Sequence, residues 1–388
     1  MLPYGRQSVD DDDIAAVVSV LKSDFLTQGP VVPAFENAVA KKVDAGFGVA
    51  ANSATSALHV AVQSLGVGPG DRVWTSPITF VASANCARYC GADVDFVDID
   101  PDTFNMSADA LEHKLKDAER NSTLPKVIVP VHMCGQSPDM QRIAGLAKTY
   151  GIKVVEDASH AIGARYLNEP VGRCKFSDIT VFSFHPVKII TSGEGGLAVT
   201  NDPSLAEKMS RLRSHGITRD AEKMTKPADG PWYYQQLELG FNYRMTELQA
   251  ALGISQLEKL DHFVARRHEL ARRYDERLEA LPLVRPHQHE DSFSAFHLYV
   301  VRLQTDDADL HRTVFEKLRE QGIGVNLHYI PVHLQPYYEA LGFRHGDYPE
   351  AERYYRQAIT LPLFPGMSEQ DQDDVIRVLT ATCDECGL

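Results

Sequence analysis

The chain is poor in cysteine. Six of its 388 residues, Cys86, Cys90, Cys134, Cys174, Cys383 and Cys386, are too few and too scattered for a disulfide scaffold. They read as reduced thiols. The C-x-x-C pair Cys383 and Cys386 stands at the end of the sequence, with no second pair and no following helix and strand, so no metal or redox role is assigned to it. Long apolar runs are also missing, none approaching the roughly 18 to 20 residues of a membrane span. MLPYGRQSVDDDDI has neither the basic start nor the apolar stretch of a secretory signal, and a cytoplasmic protein with no membrane partner is expected. Positive charge is scarce: 39 Lys and Arg against 53 Asp and Glu leave a formal charge of −14. Such a surface repels a nucleic-acid backbone, so no nucleic-acid partner is expected. There is no internal repeat and no low-complexity tract.

What is present is 44% apolar residues, enough for substantial cores, in a length that suggests two domains. Apolar runs at 47–51, 72–74, 94–97, 126–131, 153–155, 179–184 and 197–200 alternate with helix-like stretches such as 57–65 and 140–150. That alternation predicts an α/β fold with a largely parallel sheet and ligands at the strand ends. Past residue 245 the pattern changes. Residues 247–281 form one long amphipathic stretch without proline, followed by a strand at 297–303, a helix at 310–321, a strand-like segment at 323–327 and a last helix near 369–380. A large domain over 1–245 is expected, with an arm at 1–25 packing on a smaller α+β domain that spans 246–388. The acidic run Asp10 to Asp13 reads as the solvated start of a helix.

Chemistry concentrates around Lys188, five residues after Ser183 and 31 after Asp157 in VVEDASHA…SFHPVKIITSGEGG. The lysine follows an apolar run and precedes a glycine turn, while Asp157 closes an earlier apolar run. This is the layout of a Schiff-base lysine with a carboxylate for a pyridinium nitrogen, as pyridoxal 5'-phosphate requires. The turn and helix start in NSATSALHVAVQSL offer free backbone N–H groups to a phosphate, and Phe80 in SPITFVASANC offers a flat apolar face to a ring. Each feature alone has a bland reading. Asp157 could be a turn residue, Phe80 core, Asn52 to Ser56 a helix cap and Lys188 a surface charge. Their order along the chain favours the joint reading.

These segments, with LTQGP, PVHMCGQ, GFNYRMTELQAALG and GVNLHYIPVHLQPYY, make the chain resemble the DegT/StrS family of nucleotide-sugar aminotransferases nearly end to end. Within the family it is most similar to the pseudaminic acid pathway enzymes of PseC type, through PYGRQSVDDDDI, PWYYQQLELGFNYRMTELQ and LPLFPGMS. The resemblance implies a fold-type I pyridoxal phosphate enzyme with a mostly parallel seven-stranded sheet. It implies that Lys188 and Asp157 are catalytic, and that Ala54, Thr55, Ser56, Phe80, His160, Ser183 and Asn242 join them in holding the cofactor. Asn242 would reach the other subunit's phosphate, giving a homodimer with shared sites. Tyr4, Arg244, His328 and Tyr329 are expected substrate contacts. Ala54 stands where many members have glycine, so this turn is expected to have ordinary dihedral angles. His132, His185, His328 and His333 lack tight ligand spacing, and no metal is expected.

The implied reaction is a ping-pong transfer. L-Glutamate gives its amino group to the cofactor, leaving pyridoxamine 5'-phosphate and 2-oxoglutarate, and the sugar ketone then takes it up. The PseC-type likeness implies UDP-4-keto-6-deoxy-N-acetyl-β-L-altrosamine as acceptor, aminated at C4. Another UDP-, dTDP- or GDP-linked keto sugar is the alternative within the class. A non-catalytic regulator that keeps the fold is the alternative outside it. A sugar 3-dehydratase would carry histidine in place of Lys188.

Overall fold

A computed structural model describes residues 1–388. The chain opens with a two-residue strand β1 (Leu2–Pro3) and helices α1 (Asp11–Leu21) and α2 (Val31–Lys42). Strand and helix then alternate through β2 (Phe47–Ala51), α3 (Ala54–Ser64), β3 (Arg72–Thr75), α4 (Ala82–Tyr89), β4 (Asp93–Phe96), α5 (Ala108–Arg120), β5 (Val127–Val129), α6 (Met140–Tyr150) and β6 (Lys153–Asp157). A small hairpin, β7 (Arg165–Tyr166) and β8 (Glu169–Pro170), precedes β9 (Ile179–Ser183), β10 (Gly196–Thr200) and α7 (Pro203–Leu212).

Seven of these strands form one sheet in the order β2-β10-β9-β6-β5-β3-β4. All its pairings are parallel except those of β10, which runs antiparallel to both β2 and β9. The inner strands explain themselves chemically. Every residue of ITVFS in β9 and GLAVT in β10 is buried, so the runs show no polar alternation, as a strand covered on both faces requires. The helices are bounded by local chemistry: Ser53 caps α3 by accepting from the Ser56 amide, and Asp139 caps α6, which ends at Gly151 in the left-handed region (φ 68°).

After a short strand pair, β11 (Ile217–Thr218) with β12 (Gln235–Gln236), come α8 (Glu247–Glu258) and α9 (Leu260–Arg277). The amphipathic stretch from 247 onward is therefore two helices, not one. The chain turns at Lys259 (φ −93°, ψ −4°), whose ammonium reaches Asp10 and Asp13 on the N-terminal arm. Asp13 corrects a second expectation. Instead of being solvated it is fully buried, accepting from Ser255 Oγ at 2.6 Å and Gln256 Nε2 at 2.7 Å. A buried carboxylate is stable only when paired and hydrogen-bonded, and α8 supplies both.

The remaining strands are β13 (Leu283–Val284), β14 (Ser292–Phe293), β15 (Tyr299–Leu303), β16 (Ile323–Gly324) and β17 (Ala358–Leu361), with α10 (Ala308–Glu320) between β15 and β16. β15 is the middle strand of a three-stranded sheet with β13 and β17, and β1 pairs in parallel with β16. A separate core of 23 buried residues, including Tyr274, Tyr299, Leu318 and Leu379, lies among these elements. The arm thus touches both halves of the chain: Leu2 packs on that core, while α1 lies along α8. No helix is long and apolar enough to cross a membrane. All six cysteines are unpaired.

Candidate active site

The strand ends of the large sheet open on one cavity of about 900 Å³. β6 delivers Asp157 to it and β9 delivers Ser183, while the loop from β9 to β10 brings Lys188. Burial pushes the Lys188 ammonium down to about 8, and the Asp157 carboxylate acts in the opposite direction without overcoming it. Lys188 is the only lysine or arginine among the lining residues.

α3 points its N-terminus at the same space, with Ala54, Thr55 and Ser56 on the wall. The N–H groups of a first helical turn have no partner within the helix and attract anions. Gly196 is what lets β10 come so close: a Cβ there would stand 2.4 Å from the Ala54 nitrogen. Ala54 has ordinary backbone dihedral angles, as its departure from glycine predicted. Phe80 lines the cavity from the turn before α4 and is 58% exposed, so its ring is available for stacking.

His160, three residues past Asp157, is buried with Nε2 3.1 Å from the Tyr329 hydroxyl, and its Nδ1 has no partner. Burial and the nearby Lys188 hold it well below the ordinary histidine range, as a neutral ring. His328 is likewise neutral, held down to about 3 by burial and Lys188. Its Nδ1 faces Thr360 Oγ1 at 2.9 Å and its Nε2 faces the Asn326 amide at 3.3 Å. Tyr4 reaches the cavity from the arm, with its ring 4.9 Å from that of His328.

Eleven of the thirteen expected site residues therefore share one cavity in a single chain. Asn242 and Arg244 do not. The Asn242 carbonyl lies 3.5 Å from Asn52 Nδ2, and Arg244 lines a separate surface pocket with Gln28 and Gly29. The cavity also contains residues that the sequence did not single out for the site, among them Thr79, Ser159, Glu194 and Asn326, and Asn52 lies in it at the start of the phosphate turn. Glu194 was visible inside TSGEGG and Asn326 inside GVNLHYIP, but neither had a chemical reason to be chosen before the fold brought it there. The four histidines weighed for metal are dispersed. His132 pairs with Glu156 at 2.8 Å and His333 with Glu352 at 3.0 Å, both away from the cavity, and His185 lies 3.9 Å from Glu194 at its mouth.

Residues 7–380 match the DegT/DnrJ/EryC1/StrS aminotransferase family. The chain belongs to that family. It is 39% identical over 382 residues to the spore coat polysaccharide biosynthesis protein SpsC of Bacillus subtilis, covering 97% of this chain and 96% of that one. Among solved structures it is similar to Helicobacter pylori PseC, an aminotransferase of pseudaminic acid biosynthesis, with TM-score 0.91 and 31% identity over 99% of each chain. It is also similar to the proposed sugar aminotransferase Spr1654 of Streptococcus pneumoniae in its PMP form, with TM-score 0.90 and 30% identity over the whole of both chains. This DegT-family protein is a sugar aminotransferase that uses pyridoxal phosphate. Its residues fit that cofactor: a half-buried lysine with a lowered pKa, a buried carboxylate, a helix N-terminus for phosphate and an exposed aromatic ring face one another across the cavity.

Proposed function

We propose that the chain transfers an amino group from L-glutamate to the C4 ketone of UDP-4-keto-6-deoxy-N-acetyl-β-L-altrosamine, as pseudaminic acid biosynthesis requires. The observation that carries this reading is the likeness to Helicobacter pylori PseC across 99% of both chains. In this account the bound cofactor supplies the electron sink that makes the donor's Cα–H acidic. Lys188 Nζ, neutral for a useful fraction of the time near pH 8, takes the proton from the donor Cα and returns one to sugar C4 in the second half-reaction. Asp157 holds the proton on the cofactor's ring nitrogen. Ala54, Thr55, Ser56 and Ser183 would hold its phosphate, and Phe80 and neutral His160 would hold its ring. Tyr4, His328 and Tyr329 bind the sugar nucleotide.

The same reading makes the protein a homodimer with shared sites, acting in the cytoplasm. Cofactor phosphate, donor carboxylates and sugar diphosphate bring several negative charges to a cavity whose only fixed cation is Lys188. Asn242 and Arg244, outside this chain's own cavity, would serve the partner's. The large domain is taken to be residues 1–245 and the small one 246–388.

A second reading, amination of a different nucleotide-linked keto sugar, draws support from the 39% identity to SpsC, which is named for spore coat polysaccharide biosynthesis and not for pseudaminic acid. Steady-state kcat/KM for the L-altro ketone and its D-xylo counterpart decides between the two. Preference for L-altro supports the first reading, and preference for D-xylo replaces it with the second.

A further inference from the structure

Asp157 has both oxygens engaged by hydroxyl groups. Ser83 Oγ donates to Oδ2 at 2.6 Å, and Ser159 donates to Oδ1 through its hydroxyl at 2.5 Å and its backbone amide at 3.1 Å. An ionised carboxylate can only accept, so the single Ser83 proton is committed to Asp157. The Thr79 hydroxyl, 2.7 Å from Ser83 Oγ, must then be the donor to Ser83. A directed chain results, from Thr79 on the cavity wall through fully buried Ser83 to the carboxylate.

Few other groups govern this carboxylate. Lys188, from the loop after β9, is the one lysine or arginine that shares the cavity with it. Cys86 on α4 and Tyr329 after β16 also face it, and burial raises both, so they remain neutral. His160, the residue after Ser159, is held neutral too. Hydrogen bonds to a charged form stabilise it, and here three of them meet one buried side chain.

We propose that Ser83 and Ser159 are positioning residues that hold the Asp157 carboxylate in one orientation, aimed at the cofactor's ring nitrogen, and thereby keep that nitrogen protonated. The proposal rests on the reading of Asp157 as the ring-nitrogen partner. It does not depend on which sugar is the substrate. Ser83 acts from behind Asp157 and Ser159 from the cavity side, so the two can be separated by mutation.

The test is ¹⁵N NMR of protein loaded with pyridoxal phosphate labelled at the ring nitrogen, titrated with pH in the absence of amino donor and sugar. Ser83→Ala and Ser159→Ala should each lower the pH at which the pyridinium shift is lost by about one unit, and the double variant by more. Asp157→Asn is the reference and should lose the pyridinium shift outright. If both serine variants titrate with the wild type while Asp157→Asn does not, the positioning role is overturned and the Asp157 reading stands. If Asp157→Asn also titrates with the wild type, both fall. Thermal unfolding of the cofactor-free variants separates a packing defect, which would lower the midpoint of unfolding and leave the ¹⁵N titration in place. Half-buried Ser159 carries the test alone if Ser83→Ala does not fold.

Discussion

Gly196 and Ala54 are in backbone contact: a Cβ on Gly196 would stand 2.4 Å from the Ala54 nitrogen and 2.5 Å from its Cα. β10 can therefore not carry a side chain there without moving off the N-terminus of α3. Gly196→Ala should cost about 1 to 3 kcal/mol through overpacking and weaken pyridoxal phosphate binding roughly tenfold, because the displaced amides are those aimed at the phosphate. Fluorescence titration of the cofactor and thermal unfolding check the two effects.

Lys188 is the only amine lining the cavity, so no neighbour can replace it. Lys188→Ala should fold normally and bind cofactor without a covalent bond. Amine transfer should fall by about 10²- to 10⁴-fold or more. Borohydride reduction followed by peptide mass spectrometry should find pyridoxyl on Lys188 in the wild type and nowhere in the variant. A pure ligand-binding role would survive this substitution unchanged.

Burial lowers Lys188 to about 8 from its ordinary 10.5, and Asp157 opposes that shift. Only the neutral amine attacks the cofactor aldehyde, so the rate of cofactor capture should rise with pH through about 8 and level off above it. Removing the carboxylate in Asp157→Asn takes away the opposing effect, so the midpoint should move lower still. Stopped-flow absorbance reads both curves.

Glu247 is fully buried and holds the start of α2, accepting from the Val31 amide at 2.6 Å and the Val32 amide at 3.3 Å. This contact brings LTQGP against MTELQ, helped by the Thr27–Thr246 bridge. Glu247→Ala leaves one buried and one half-buried donor without acceptors and should destabilise the protein by about 1 to 3 kcal/mol, measured by urea unfolding.

The sheet was legible because its strands are buried on both faces. Runs such as FGVAA and ITVFS carry the signal locally, and all seven runs read from the sequence lie in the seven-stranded sheet. Segments whose structure depends on distant partners were not legible. β1 exists only through Ile323 and Gly324, and the short β13 only through β15. The break at Lys259 and the burial of Asp13 meet in an ion pair between residues far apart in the sequence, which no local periodicity announces. In the site, Lys188 and Asp157 were found because cofactor chemistry demands those types in that order. Ser83 and Thr79 were missed because a serine or threonine near a helix start has an ordinary capping explanation.

The central claim is that Lys188 and its surroundings move an amino group from glutamate to C4 of an L-altro-configured UDP sugar. Wild-type protein should be incubated with pyridoxal phosphate, ¹⁵N-glutamate and an equimolar mixture of the L-altro and D-xylo 4-ketones, and the products read by mass spectrometry and NMR. The account predicts ¹⁵N at C4 of the L-altro product in at least roughly tenfold excess, a discrimination of about 1.4 kcal/mol in the transition state. Label chiefly in the D-xylo product, or in neither sugar, would contradict it.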